Sequence, residues 1–193
     1  YPSSYSYFNG GLSMVRISTG TARWTSNFTP PTAPSAYDGA RTVVNITGLD
    51  GNTDEEYRLI CRFINGSGVS CQYLIRPNND ATTNYGYQGV SGLDTTAIAN
   101  KGASTGFVGF EQATSSAVMN YGEMLLYAKS GYVRTALTKS IRQVNGTTIN
   151  RVFEYGERWN DTSSNITSLV ITGDQTNGLG VGTNIELYKK SAK

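Results

Sequence analysis

The sequence contains no histidine, and it has only two cysteines. The absence of histidine excludes the Ser-His-Asp and Cys-His arrangements that activate a nucleophile. Two cysteines also cannot supply the four ligands of the commonest zinc sites. The chemistry that remains open is that of carboxylates, in glycoside hydrolysis or in calcium binding. No cofactor motif is present, and we predict no cofactor.

Charge is scarce as well, because charged residues make up 16% of the chain, whereas about 25% is typical of soluble domains. Glycine, tyrosine, threonine, serine and asparagine take their place, which is typical of turn-rich all-β proteins. No apolar run approaches the roughly 20 residues of a membrane-spanning helix, so we predict no membrane insertion. The net charge is only +2, which argues against nucleic acid as a partner. We interpret the densest basic stretch as a solvated sheet face: Arg134, Lys139, Arg142 and Arg151.

Apolar residues recur mostly with a period of two, which predicts β-strands. The segments are short, lie at intervals of roughly ten residues and are joined by glycine and asparagine turns. This pattern predicts an all-β fold, an antiparallel β-sandwich that is jelly-roll-like. The predicted strands are 12–18, 42–47, 57–64, 70–76, 118–129, 132–141, 147–155, 167–172 and 184–189.

Two hairpins are expected from turn chemistry. The sequence NGSG joins strands 57–64 and 70–76, and Asn145-Gly146 joins strands 132–141 and 147–155. In the first hairpin, the register decides whether Cys61 and Cys71 lie opposite each other and form a disulfide. The alternative is that both are buried thiols that pack as small hydrophobic groups.

Two segments are less regular than the predicted strands. Residues 1–41 contain Pro30, Pro31 and Pro34, and we predict an irregular N-terminal arm or linker ahead of a sandwich domain at 42–193. Because the chain begins with tyrosine rather than methionine, we expect a fragment or a processed product. Residues 78–106 are polar and predict long surface loops, where a binding site is expected.

Aromatic residues are the candidates for ligand contact. Tyr85 and Tyr87 lie in the predicted loops, and Trp159 follows a predicted strand. Rings with polar tips can pack in a core, form subunit contacts or stack on sugars. We predict that Tyr85, Tyr87 and Trp159 bind a ligand if the protein recognises a glycan.

Asp50, Asn52 and Asp54 have the spacing with which a calcium-binding loop begins. A helix-loop-helix calcium site also needs glycine at its sixth position and a bidentate acid at its twelfth. Those positions hold Glu55 and Cys61. We therefore predict a turn with solvated acids and no metal site.

Three carboxylates flank Trp159: Glu154, Glu157 and Asp161. A glycosidase needs two acids roughly 5 to 10 Å apart beside an aromatic platform. Here, however, the sequence predicts a strand end, a turn at Gly156 and the start of a second strand. Surface acids beside a packed tryptophan are common, so we predict no catalytic residues and no enzymatic activity.

Four structural motifs lie between about Thr42 and the C-terminus: Leu49, Asp50, Asp54 and Tyr57; Ile75, Arg76, Pro77 and Asn78; Asn84 and Tyr85; and Leu187, Tyr188 and Lys189. These motifs resemble those of structural and adsorption proteins from tailed bacteriophages. The resemblance implies a jelly-roll-like sandwich on a virion, often trimeric, in a tail fibre, tail tip or head decoration.

From the residues and the resemblance together, we expect a non-enzymatic bacteriophage virion protein, a tail-fibre or surface-decoration module that acts in assembly or host adsorption. Its expected partners are copies of itself, as a homo-oligomer and specifically a trimer, and other virion proteins. It would be assembled in the host cytoplasm and exposed on the particle. The alternative is a carbohydrate-binding module that recognises a bacterial surface glycan.

Overall fold

The computed structural model describes residues 39–112, 119–145 and 148–190. Within them the chain forms eleven strands and one helical turn. In order these are β1 (Val43–Thr47), α1 (Gly51–Asp54), β2 (Glu56–Ile64), β3 (Cys71–Pro77), β4 (Tyr85–Leu93), β5 (Thr96–Ser104), β6 (Phe107–Gln112), β7 (Met119–Tyr127), β8 (Arg134–Asn145), β9 (Thr148–Trp159), β10 (Ser168–Gly173) and β11 (Asn184–Lys189).

The strands form two antiparallel sheets. The smaller sheet has four strands in the order β1-β10-β3-β6, and the larger sheet has seven in the order β11-β2-β7-β8-β9-β4-β5. Four pairings are nested along the chain: β1 with β10, β2 with β7, β3 with β6, and β4 with β5. A long antiparallel ribbon folded over on itself gives this nesting, which is the topology of a jelly roll. The prediction of an antiparallel, jelly-roll-like β-sandwich is therefore confirmed.

The core lies between the inner faces of the two sheets. Phe63 on β2 and Tyr73 on β3 stack across the sandwich with ring centroids 4.1 Å apart, and Phe110 on β6 meets Phe63 edge-on at 5.4 Å. Leu59 on β2 and Ile75 on β3 are fully buried beside them. Each large apolar side chain buried in this way contributes about 1.5–3 kcal/mol. The period-two pattern of these strands therefore has its physical basis in this shared core.

The first predicted hairpin is wrong. Strand β2 pairs with β11 and β7 in the larger sheet, whereas β3 pairs with β10 and β6 in the smaller one. The intervening NGSG is a corner between the sheets, where the buried Asn65 side chain donates to the carbonyl of Val69 and accepts hydrogen bonds from Ser67. Cys61 and Cys71 consequently lie on different sheets, and both are free, buried thiols.

The second predicted hairpin is confirmed, because β8 and β9 pair with Lys139 opposite Glu154. Its predicted turn falls partly at residues 146–147, which lie outside the described residues. The predicted turn at Gly156 is wrong, because Gly156 lies within the continuous strand β9. The predicted loops at 78–106 are also largely strands, since they contain the paired strands β4 and β5.

The predicted arm and the strand at 12–18 fall in residues 1–38, which lie outside the described residues. The first described strand begins at Val43, and an isolated bridge joins Arg41 to Leu179 just before it. The arm and the boundary at residue 42 stay predictions.

The acidic segment at 50–54 forms the one-turn helix α1. Asp50 caps it by accepting the backbone N–H groups of Asn52 and Thr53. The prediction of solvated acids is correct for Asp50 but wrong for Asp54, which is buried, accepts the Tyr57 hydroxyl at 2.8 Å and pairs with Lys189 at 2.8 Å. The part of the chain that the structure describes contains no cluster of three or more acidic or cysteine side chains that could hold a metal.

Candidate functional site

The predicted ligand-contact residues lie mainly in the core. Trp159 is buried and stacks near Tyr85 at 6.2 Å, and its indole N–H donates to Asp80 at 2.7 Å. Tyr85 is also buried and meets Phe107 edge-on at 5.3 Å. Only Tyr87 is half-buried, packed 5.7 Å from Tyr155. Neither Tyr85 nor Trp159 presents a ring face to a ligand, so the predicted ligand contact gains no support from their placement.

The carboxylates beside Trp159 do not converge. Glu154 and Glu157 are three positions apart on one strand, so they point to opposite faces of the larger sheet. Glu154 is exposed and pairs with Lys139 at 3.2 Å, whereas Glu157 is buried and accepts a hydrogen bond from Thr138 Oγ1 at 2.6 Å. Asp161 accepts the backbone N–H groups of Ser163 and Ser164. Glu154 and Glu157 therefore cannot act on one substrate as a glycosidase pair.

Buried charge is the feature that sequence reasoning missed. Arg134 is fully buried, donates to the carbonyls of Asp161 and Ser164 and lies 5.4 Å over the Trp159 ring. Arg142 and Arg151 also face inward, and both donate to Glu111. The prediction of a solvated basic face is therefore wrong for all of the four basic residues except Lys139. Inward and outward positions alternate along β8, and the sequence did not reveal whether Arg134 and Arg142 or Lys139 would point into the core.

The outward surface of the larger sheet is the strongest candidate for an interaction site. Apolar side chains lie on it in two rows: Leu125 opposite Leu137, and Tyr121 opposite Ile141, which lies opposite Val152. Leu137 is 58% exposed, and Tyr121 and Val152 are each 50% exposed. We call the outward side chains of β2, β7, β8, β9 and β4 the outer face.

A row of charged residues separates the two apolar rows. Glu123, Lys139 and Glu154 lie opposite one another on β7, β8 and β9. Lys139 pairs with Glu154, and Arg58 on β2 pairs with Glu123 at 2.6 Å. These four charges are thus compensated in pairs within the row, which favours neither a strongly acidic nor a strongly basic partner.

A groove crosses the outer face at two glycines, which have no side chain to fill the space above the sheet. It has a volume of about 650 Å³ and is floored by Gly86 and Gly156, with Leu137, Gln88 and Arg158 along its sides. A side chain at Gly156 would contact only the carbonyl of Gln88, at 3.8 Å. The groove therefore combines one aliphatic wall with amide and guanidinium donors.

Comparison with protein families, with curated proteins and with solved structures gave no match. Among the residues that the structure describes, no helix is long and apolar enough to cross a membrane, since α1 has only one turn. The functional argument for this chain therefore rests on its own residues.

Proposed function

We propose that this chain is a non-enzymatic structural module of a bacteriophage virion, which acts in assembly or host adsorption and associates with copies of itself through its outer face. The phage assignment rests on the motifs that resemble tailed-phage structural proteins. Jelly rolls are common in virus coat proteins, although many unrelated functions use the same fold. In this proposal the module is exposed on the particle and also contacts other virion proteins.

The observation that carries the proposal is the pair of apolar rows on the outer face. An antiparallel sheet usually has one face on the core and a polar face toward water. Here the solvent face presents Leu125, Leu137, Tyr121 and Val152 instead. Contiguous exposed apolar side chains rimmed by polar residues are characteristic of protein interfaces.

The size of the outer face also suits a second copy of the chain. Strands lie about 4.8 Å apart and rise about 3.3 Å per residue, so the five strands of the outer face, about ten residues long on average, cover roughly 800 Å². A standard interface takes about 800 Å² from each partner. The internal charge compensation agrees with self-association, because two identical surfaces of strong net charge would repel each other.

Light scattering on the full-length protein tests the proposal. We expect a trimer or larger assembly, and we expect Leu137→Asp to give a monomer because it buries a carboxylate in the apolar centre. Val181→Asp is the matched control, since Val181 is 64% exposed but lies in a loop between β10 and β11. A monomeric wild-type protein, or equal masses for the two variants, contradicts self-association through this face.

The groove supports a second candidate, a carbohydrate-binding module for a bacterial surface glycan. Gln88, Lys101 and Arg158 supply hydrogen-bond donors along it. A glycan array tests this alternative: binding that is lost in Arg158→Ala and kept in Val181→Asp supports it. Binding that survives Arg158→Ala, or no binding at all, argues against the groove as a glycan site.

A further inference from the structure

A second cavity, unrelated to the outer face, lies between the two sheets. It has a volume of about 160 Å³ and is formed by β3 and β6 of the smaller sheet and by β4, β5 and β9 of the larger one. The polar side chains that line it are Gln72, Tyr87, Asn100, Glu111, Arg151 and Tyr155. Gln72 is exposed, so it lies where the cavity meets solvent. A polar cavity inside a sandwich core is unusual, because such cores are ordinarily packed with apolar side chains.

Several donors at this cavity have no acceptor among the described residues. Tyr155 is only 6% exposed, and its hydroxyl forms no hydrogen bond there. The Nε atom of Arg151 is buried and also lacks a partner. Tyr87 is half-buried, and its hydroxyl donates no hydrogen bond to a described residue either. Nearly all buried polar groups in native proteins are hydrogen-bonded, so the buried Nε atom of Arg151 calls for an acceptor from outside the protein, and the two hydroxyls are free to donate to the same acceptor.

The charge around the cavity favours a negatively charged acceptor. Glu111 accepts hydrogen bonds from both Arg142 and Arg151, the latter at 3.2 Å. Two guanidinium groups around one carboxylate leave an excess of one positive charge. Glu157 lies two residues beyond Tyr155 on β9, and burial raises the pKa of its carboxyl to about 8. It is therefore mostly uncharged at neutral pH and does not offset that excess.

We propose that this cavity binds a carboxylate group, which accepts hydrogen bonds from the Arg151 guanidinium and from the hydroxyls of Tyr87 and Tyr155. A guanidinium matches the planar geometry of a carboxylate. This site goes beyond the proposed function and does not depend on it.

The volume limits the ligand to a small one. A water molecule occupies about 30 Å³ of the liquid, so the cavity holds about five water equivalents. Sites for drug-sized ligands range from about 300 to 1,000 Å³. The carboxylate therefore belongs either to a free small acid or to an acidic sugar whose carboxylate enters past Gln72.

Isothermal titration calorimetry on the full-length protein tests the proposal, with acetate, glucuronate and neutral acetamide as the probes. We expect saturable binding of acetate or glucuronate and none of acetamide. Tyr155→Phe removes only a hydroxyl, and Arg151→Gln removes the charge. A hydrogen bond to a charged group accounts for about tenfold or more in affinity, so each variant is expected to weaken binding by about tenfold.

Arg62→Gln and Tyr188→Phe are the matched controls, because they make the same changes at exposed positions away from the cavity and are expected to leave binding unchanged. If Arg151→Gln fails to fold, Tyr155→Phe and Tyr87→Phe decide the outcome. Acetate binding alone supports a free acid as the ligand, and glucuronate binding supports an acidic sugar. The absence of saturable binding at millimolar concentrations, or binding that Tyr155→Phe leaves unchanged, overturns the proposal.

Discussion

On β7, Met124 and Leu126 point into the sandwich and are fully buried, whereas their neighbours Leu125 and Tyr127 point outward and remain substantially exposed. The inner and outer faces of the larger sheet are therefore built from similar apolar side chains. The inner side chains have a clear physical role, because they exclude water from the core. The outer ones add little to the stability of a single chain.

This difference separates the surface that folding buries from the surface that, in our proposal, association buries. An outer face made only for solubility would carry polar side chains at the positions of Leu125 and Leu137. Instead, these positions are apolar, and the charges of the row between them are paired within the face, as in Lys139 with Glu154. We infer that the outer face becomes buried in the assembled protein in much the same way as the inner face is buried in the single chain.

The largest expected effect comes from truncating neighbours on opposite faces. Leu126→Ala is expected to lower the free energy of unfolding by about 2–5 kcal/mol, because it leaves a cavity in the core. Leu125→Ala is expected to lower it by less than about 1 kcal/mol, because Leu125 is 40% exposed in the single chain and its loss leaves no cavity in the core. Urea unfolding at low protein concentration measures both. Equal losses would remove the distinction between the faces.

The pH dependence of stability gives the next expected effect, and it arises from the inner face. Burial raises the pKa of Glu157 from an ordinary 4.5 to about 8. A carboxyl with a raised folded-state pKa stabilises the fold fully below its unfolded pKa, and this contribution is lost as the pH rises through about 8. The free energy of unfolding is therefore expected to fall by about 1 kcal/mol per unit between about pH 5 and 8.

Glu157→Gln keeps a neutral side chain whose amide oxygen can accept the Val108 N–H, while its amide nitrogen can donate to the Thr138 hydroxyl. It is expected to remove this slope, so that the stability of the variant relative to wild type increases with pH. Urea unfolding at a series of pH values measures the difference. Parallel curves for the two proteins would show that Glu157 titrates normally in the fold.

The smallest expected effect is that of the ion pair on the outer face. Both side chains of the Lys139–Glu154 pair are largely exposed, and such pairs contribute less than about 1 kcal/mol. A double-mutant cycle with Lys139→Ala and Glu154→Ala in the single chain measures the coupling. A coupling well above this value would mean that the pair helps to hold the monomer together.

Local pattern was sufficient for much of the fold. The alternation around Tyr121, Glu123, Leu125 and Tyr127 correctly predicted β7 despite the glycine at 122. The turn residues at 145–146 correctly predicted the pairing of β8 with β9. In both cases, residues close together in the sequence determine the local structure, so the sequence pattern is enough to predict it.

The sequence pattern gave wrong predictions where the local structure depends on contacts with residues far away in the sequence. The NGSG corner has the same turn chemistry as a hairpin, and only the burial of Asn65 between sheets distinguishes the two. Strands β4 and β5 have few apolar residues, and β4 is held by pairing with β9 and β5 by pairing with β4, so residues 78–106 resembled a loop. Gly156 resembled a turn, although it lies opposite Leu137 and Gln88 within the sheet.

The buried charges were unpredictable for a related reason. Nothing in the residues next to Arg134 or Glu157 distinguishes an inward charge from an outward one. Their partners come from elsewhere, as when Val108 on β6 donates its N–H to Glu157. The cavity beside Arg151 and Tyr155 is formed by both sheets, so no single segment contains its signal.

The central claim is that the outer face is covered in the assembled protein, and the labelling rate of a single introduced thiol tests it most directly. Both native cysteines are buried, so Leu137→Cys and Val181→Cys each add one accessible thiol. In a single chain the two positions are similarly exposed, at 58% and 64%. We expect Leu137→Cys to react much more slowly than Val181→Cys under native conditions, and equally fast in denaturant. Equal rates under native conditions would contradict the account.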